Sequence, residues 1–170
     1  MPRVPEMRFR QVFDARPPGR SAREAELRSR FEQGVAMLHM RQYEYALMAF
    51  QRVLALAPDI PEAHVNMGFA LIGVEQWDTA RSFFESAIDL RRDQLNAYYG
   101  LAVALEAQGD MAGAMGAMQV YLHRAPSDDP FRTRAEAALW EWREAASQAP
   151  SDGAAPGNSA NDPAAGAASR

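Results

Sequence analysis

The chain contains no cysteine. That absence excludes disulfides, thiolate zinc sites and cysteine nucleophiles, and it leaves the compartment open. Lysine is missing too: all eighteen basic residues are Arg, a bias that, with the abundant Ala, reads as base composition more than function. No run of about 18 apolar residues occurs, so the sequence offers no membrane-spanning helix. The first residues lack the apolar core of a signal peptide. A cytoplasmic location is expected for the sequence as it stands, and a periplasmic or envelope-associated one if the true start lies upstream. Enzyme fingerprints are missing as well, with no GxSxG, P-loop, GxGxxG or HExxH. His39, His64 and His123 do not pair with another His or a carboxylate at a metal-ligand spacing on one helix face. The expectation is a protein without catalytic residues, cofactor or metal.

Large apolar side chains are also absent from one end. Residues 149–170 hold no Val, Ile, Leu, Met or aromatic residue; such a segment cannot offset its ordering entropy and is expected to be a disordered tail. Residues 1–20, with prolines at 2, 5, 17 and 18, read as a flexible Arg- and Pro-containing arm. The folded unit is expected over 21–148, long enough for one domain with a real core. Charge is split between the parts. Residues 1–30 carry eight Arg against four acids, a net of +4, and the remainder carries a net of −8. A basic arm of this kind can meet phosphate or a membrane surface, or fold back onto an acidic body.

What is present is a period of 34 residues. Gly34, Gly68 and Ala102 form one column, Ala46, Ala80 and Ala114 a second, and Phe50, Phe84 and Met118 a third. Tyr43, Trp77 and Met111 form a fourth, and Met37, Leu71 and Leu105 a fifth. Within each unit an apolar stripe at helical spacing breaks and resumes, at Arg41-Gln42, Glu75-Gln76 and Gly109-Asp110. Breaks this short force antiparallel neighbours. The small residues of the first two columns let paired helices approach to roughly 8–10 Å. Asp59-x-x-Glu62 and Ser21-x-x-Glu24 match a capping box, and Asp93 and Ser127 continue the register as N-cap candidates. No strand-period alternation of useful length appears between 21 and 147. The expected fold class is all-α.

The second unit reads His64-x-x-Met67-Gly68-x-x-Leu71 with Ala80-x-x-x-Phe84, and the third Tyr98-x-x-Leu101-Ala102-x-x-Leu105 with Ala114-x-x-x-Met118. This pattern resembles the tetratricopeptide repeat family. The resemblance implies a right-handed α-solenoid of three helical hairpins (27–60, 61–94 and 95–128), a capping helix over 128–147, and disordered tails at both ends. Arg30 and Gln33 depart from the pattern where the family prefers large apolar residues, as suits a terminal repeat without an upstream neighbour. His64 takes a column position often held by a bulky ring, which implies packing.

The resemblance also implies a concave face lined by the first helix of each hairpin. Carried over, it names Phe31, Val35, Leu38 and His39, then Val65, Asn66, Phe69 and Ile72, then Asn96, Tyr99, Val103 and Glu106. Eight of these are apolar or aromatic, the composition of an interaction patch suited to an extended peptide or amphipathic helix. The branch of the family that clamps C-terminal carboxylates needs Lys, Arg and Asn there. Only Asn66 matches, while Phe31, Val35, Asn96 and Gly100 take the other clamp positions.

The implied role is an adaptor or chaperone for another protein. In size and layout the chain is similar to translocator chaperones of bacterial type III secretion and to small repeat proteins that assist cytochrome maturation and pilus assembly. The alternatives are a self-assembling homodimer and a phosphate or membrane-surface binder acting through the arm; nucleic acid is the less expected partner. On the last helix, Phe131, Ala135, Ala138, Leu139 and Trp142 share one face, and Trp140 points elsewhere as a candidate secondary contact. The arm segment Met7 to Phe13 carries large apolar residues that suit either a groove competitor or protomer pairing.

Overall fold

The computed structural model describes residues 22–148. Among the described residues seven helices follow in order: α1 Ala22–His39, α2 Tyr43–Leu56, α3 Pro61–Gly73, α4 Trp77–Leu90, α5 Leu95–Ala107, α6 Met111–Arg124 and α7 Arg132–Gln148. No strand occurs among the described residues. Ser21, one half of the first capping-box pattern, lies outside them, as do the arm and the tail. No helix among the described residues is long and apolar enough to cross a membrane.

Each hairpin turns through the same device. Arg41, Glu75 and Gly109, spaced by 34, adopt φ of 58°, 61° and 81°. After each first helix the chain makes a paired set of bonds: Arg41 N–H to Leu38 O with Gln42 N–H to Met37 O, Glu75 to Ile72 with Gln76 to Leu71, and Gly109 to Glu106 with Asp110 to Leu105. These are the two bonds of a Schellman motif, which satisfies the last carbonyls of a helix and needs a left-handed residue. Glycine adopts that region freely; Arg and Glu carry a cost of roughly 1–2 kcal/mol there.

The helix starts differ from the sequence expectation. Asp59 and Asp93 sit in the turns ahead of the N-cap positions, which are Ile60 and Gln94, and neither N-cap makes a side-chain bond. The capping box does not form because Glu62 is drawn away: its carboxylate is 2% exposed and pairs with Arg91 at the end of α4. Ser127 does not cap the last helix, which starts at Arg132. Asp129 serves there, accepting from Phe131 N–H (2.8 Å) and the Tyr121 hydroxyl. A genuine side-chain cap occurs at Asp110, which accepts from Gly113 N–H at 2.9 Å.

The column residues make the core. Ala46, Ala80, Ala114, Phe50 and Phe84 are completely buried, and Met118 nearly so. The space beside Gly34 and Gly68 is taken by a phenyl ring: a Cβ there would sit 2.7 Å from Phe50 and 2.6 Å from Phe84. Gly100, one hairpin later, meets the same Phe84 ring at 2.3 Å. Phe84 therefore wedges between α3 and α5, and two glycines make room for it. In the third hairpin the pair becomes Ala102 with Met118, where a longer, softer side chain tolerates the added methyl. Ring pairs lock each hairpin across its two helices: Phe31–Phe50 at 5.9 Å, Phe69–Phe84 at 5.1 Å and Tyr99–Tyr121 at 5.3 Å between centroids.

Hairpins stack through α2 on α3 and α4 on α5, while α1 lies beside α3 and α3 beside α5. Consecutive second helices make no comparable packing. First helices thus form the inner layer and second helices the outer one. Polar bonds repeat with the period: His64 Nε2 lies 2.7 Å from Pro58 O, and the Tyr98 hydroxyl donates to Arg92 O at 3.1 Å. His64 packs on Phe83. α7 closes the stack on α6 with Ala135 and Leu139 buried and Phe131, Ala138 and Trp142 half-buried.

Candidate functional site

The inner layer is where the candidate residues fall. From α1, Phe31 and Leu38 are buried, Val35 is half-buried and His39 is exposed, with its Nδ1 3.1 Å from Val35 O. From α3, Val65, Asn66, Phe69 and Ile72 are all buried. From α5, Tyr99 is buried, Asn96 and Val103 are half-buried, and Glu106 is exposed. The central helix is thus closed on its inner side, whereas the flanking ones show surface at Val35, His39, Asn96, Val103 and Glu106.

Several of these residues also serve the core. Phe31, Phe69 and Tyr99 each contact a ring of the second helix of their hairpin, and Tyr99 additionally meets Phe131 at 6.0 Å. Burial pushes the Tyr99 hydroxyl above its ordinary range. Tyr121 behind it is pushed much further, first by burial and then by its hydrogen bond to Asp129. Gly100, which takes a clamp position in the family pattern, is a packing residue against Phe84.

The chemistry of this face is apolar, with amides at its margin. Among the described residues no group of three His, Asp or Glu could hold a metal ion. Sequence reasoning missed Glu62, which lies on the same helical stripe as Val65, Phe69 and Ile72 and is held by Arg91 from the end of α4. Glu62, the one acidic residue of α3 and three positions before Val65, was the available signal.

Away from this layer, Trp140 is 65% exposed on α7, and Tyr45 and Met48 project from α2. Trp142, some 200° away from Trp140 by helical geometry, packs on the core.

Known proteins share this architecture. The type III secretion translocator chaperone SycD of Yersinia enterocolitica superposes with a TM-score of 0.67 at 16% identity, covering 71% of this chain and 86% of SycD. The Sgt2 TPR domain from Aspergillus fumigatus gives 0.66 at 23%, covering 84% and 92%. The first TPR of Spaghetti (RPAP3), bound to the HSP90 peptide SRMEEVD, gives 0.66 at 19%, covering 72% and 94%. At these identities the likeness establishes the fold. No curated protein matches the sequence. Two family models, both described as tetratricopeptide repeat, match residues 28–59 and 71–139. Together they span more than half the chain, and the protein belongs to the tetratricopeptide repeat family.

Proposed function

We propose that this chain is a non-enzymatic protein-binding module, an adaptor or chaperone, that receives a peptide or amphipathic helix of a partner on the inner layer of α1, α3 and α5. One observation carries the reading: the inner layer leaves Val35 and Val103 as half-buried apolar surface on its two flanks, with the half-buried Asn96 beside them and Val65, Phe69 and Tyr99 buried as the floor between. Such a surface buries apolar anchors of a guest, while the amide fixes its orientation. Single-motif affinity is expected near micromolar, about −8 kcal/mol.

Relatives in fold support a binding role and differ in chemistry. RPAP3 is seen with an acidic HSP90 peptide and Sti1 with an Hsp70 one. SycD is seen with a peptide of the translocator YopD. The inner positions carried over from the family hold no Arg here, so an acidic tail would find no counter-charge. An apolar segment suits them better. Assembly of a bacterial secretion, pilus or cytochrome system is the setting this reading favours.

A second reading, pairing of two copies, rests on the exposed Trp140, a residue type enriched at interface hot spots.

Calorimetry with two peptide classes tests the first reading. An apolar amphipathic helix should bind the wild type and lose at least tenfold affinity in Val35→Glu and Val103→Glu, two half-buried sites, in variants whose helical circular dichroism matches the wild type. An acidic tail ending in EEVD should not bind. Tight binding of the acidic tail, or indifference to both substitutions, would contradict the proposal.

A further inference from the structure

Three hairpins on one backbone give each position two internal counterparts, and a side chain the fold does not require stands out against them. The outer face of α2 holds two such side chains. Tyr45 and Met48, one turn apart, are 63% and 66% exposed. The matching positions of the second hairpin hold Thr79 and Ser82, and those of the third hold Gly113 and Gly116. Thr79, Ser82 and Gly116 are exposed and Gly113 is half-buried. A Cβ added to Gly116 would meet nothing within 4 Å. This face therefore points outward in every hairpin, and packing asks for no large apolar residue on it. The first hairpin alone puts an aromatic ring and a thioether there, two side-chain types enriched at protein interfaces.

We propose that this face of α2 pairs with the same face of a second copy of the chain, antiparallel, about a two-fold axis beside Met48. The face is complementary to itself. By helical angle Tyr45, Met48 and Arg52 lie within about 60° of one another, with Glu44 and Gln51 along one margin. Set the axis between Met48 and Ala49, and Tyr45 precedes it by as many residues as Arg52 follows it. Tyr45 then faces Arg52 of the second copy, the two Met48 side chains meet at the axis, and Glu44 lies near Gln51 of the second copy. Each meeting is favourable. The Arg52 side chain is 51% exposed and held by Glu26 at 2.7 Å, which presents its guanidinium for a cation–π contact. The Gln51 amide donates to the Glu44 carboxylate, and adaptable thioethers fill the centre. No like charges stand opposite in this register, and such a patch closes at two copies. One helix per copy is a small contact, so the dimer is weak and forms as concentration rises. Trp140, by contrast, stands among Glu136, Arg143 and Glu144 on α7. Pairing through the outer layer leaves both inner layers open. On the protein-binding reading that makes the dimer bivalent; the pairing itself does not depend on that reading.

The second hairpin supplies the control substitutions. Sedimentation velocity of the full-length chain over roughly a hundredfold range of concentration should show monomer passing into dimer. Tyr45→Thr with Met48→Ser copies the second hairpin's residues into the first. It should leave the chain monomeric throughout, with helical circular dichroism unchanged, whereas Trp140→Ala should self-associate as the wild type does. The missing cysteines let the axis be located as well. Met48→Cys should oxidise to a covalent dimer, and Ser82→Cys, the matching site of the second hairpin, should not. A wild type that stays monomeric would overturn the proposal, as would assembly beyond two copies. Self-association that survives the double substitution, or that Trp140→Ala abolishes, would move the contact elsewhere and overturn it too. Equal oxidation of the two cysteine variants would do the same. No partner is present in these samples, so a negative result leaves the binding role of the inner layer standing.

Discussion

The second and third hairpins share one backbone and hold it by different means. In the second, Phe84 fills the gap left by Gly68 and Gly100, while the turn runs through a left-handed Glu75 and α4 starts without a side-chain cap. In the third, Ala102 and Met118 replace the glycine–phenyl pair, while the turn uses Gly109 and Asp110 caps α6. A glycine–phenyl pair accompanies a strained turn, and an alanine–methionine pair accompanies a relaxed one. A repeat fold requires only that each unit match its neighbours, so stability can sit in the core of one unit and the turn of the next.

Substitutions that unbalance the two hairpins test this division. Phe84→Ala should destabilise by about 3–5 kcal/mol, since it empties a site lined by two glycines that cannot collapse inward. Met118→Ala should cost less, because the flexible thioether leaves neighbours that adapt more readily; urea denaturation of both variants gives the ranking. Gly68→Leu drives a side chain into the Phe84 ring and should cost about 1–3 kcal/mol.

The turns should respond with opposite signs. Glu75→Gly removes a left-handed penalty and should raise stability by up to about 1 kcal/mol. Gly109→Ala introduces that penalty and should lower stability by a similar amount, and Asp110→Ala should remove about 1 kcal/mol with the cap. Thermal melts that show the same sign for both turn variants would break the comparison.

The smallest effect is confined to high pH. The folded third hairpin holds the Tyr121 hydroxyl protonated well above its ordinary value of 10.0. Its contribution is complete below that pH and is lost as pH rises past it. Tyr121→Phe should flatten the alkaline fall in stability. The second hairpin has Ala87 at the matching position and no such liability.

Much of this fold was legible because stacking leaves a periodic mark. A column such as Ala46, Ala80 and Ala114 must stay small wherever two helices cross, and the structure buries all three completely. The separation of Trp140 from Trp142 followed from helical angle alone. Capping was misread at Asp59 and Asp93, because a good N-cap residue one position early enters a turn instead. The pairing of Glu62 with Arg91 joins residues 29 positions apart across a hairpin, and no local pattern announces it. The candidate face was the hardest part to read. Phe31, Phe69 and Tyr99 fall on inner positions by spacing, yet their rings also contact second-layer rings, and the degree to which each is covered depends on tertiary packing.

The most direct measurement maps a bound amphipathic-helix peptide by amide chemical shifts. The account predicts perturbations clustered on α1, α3 and α5, strongest near Val35, Asn96 and Val103. Perturbations centred on Trp140, or on Tyr45 and Met48 of the outer layer, would contradict it.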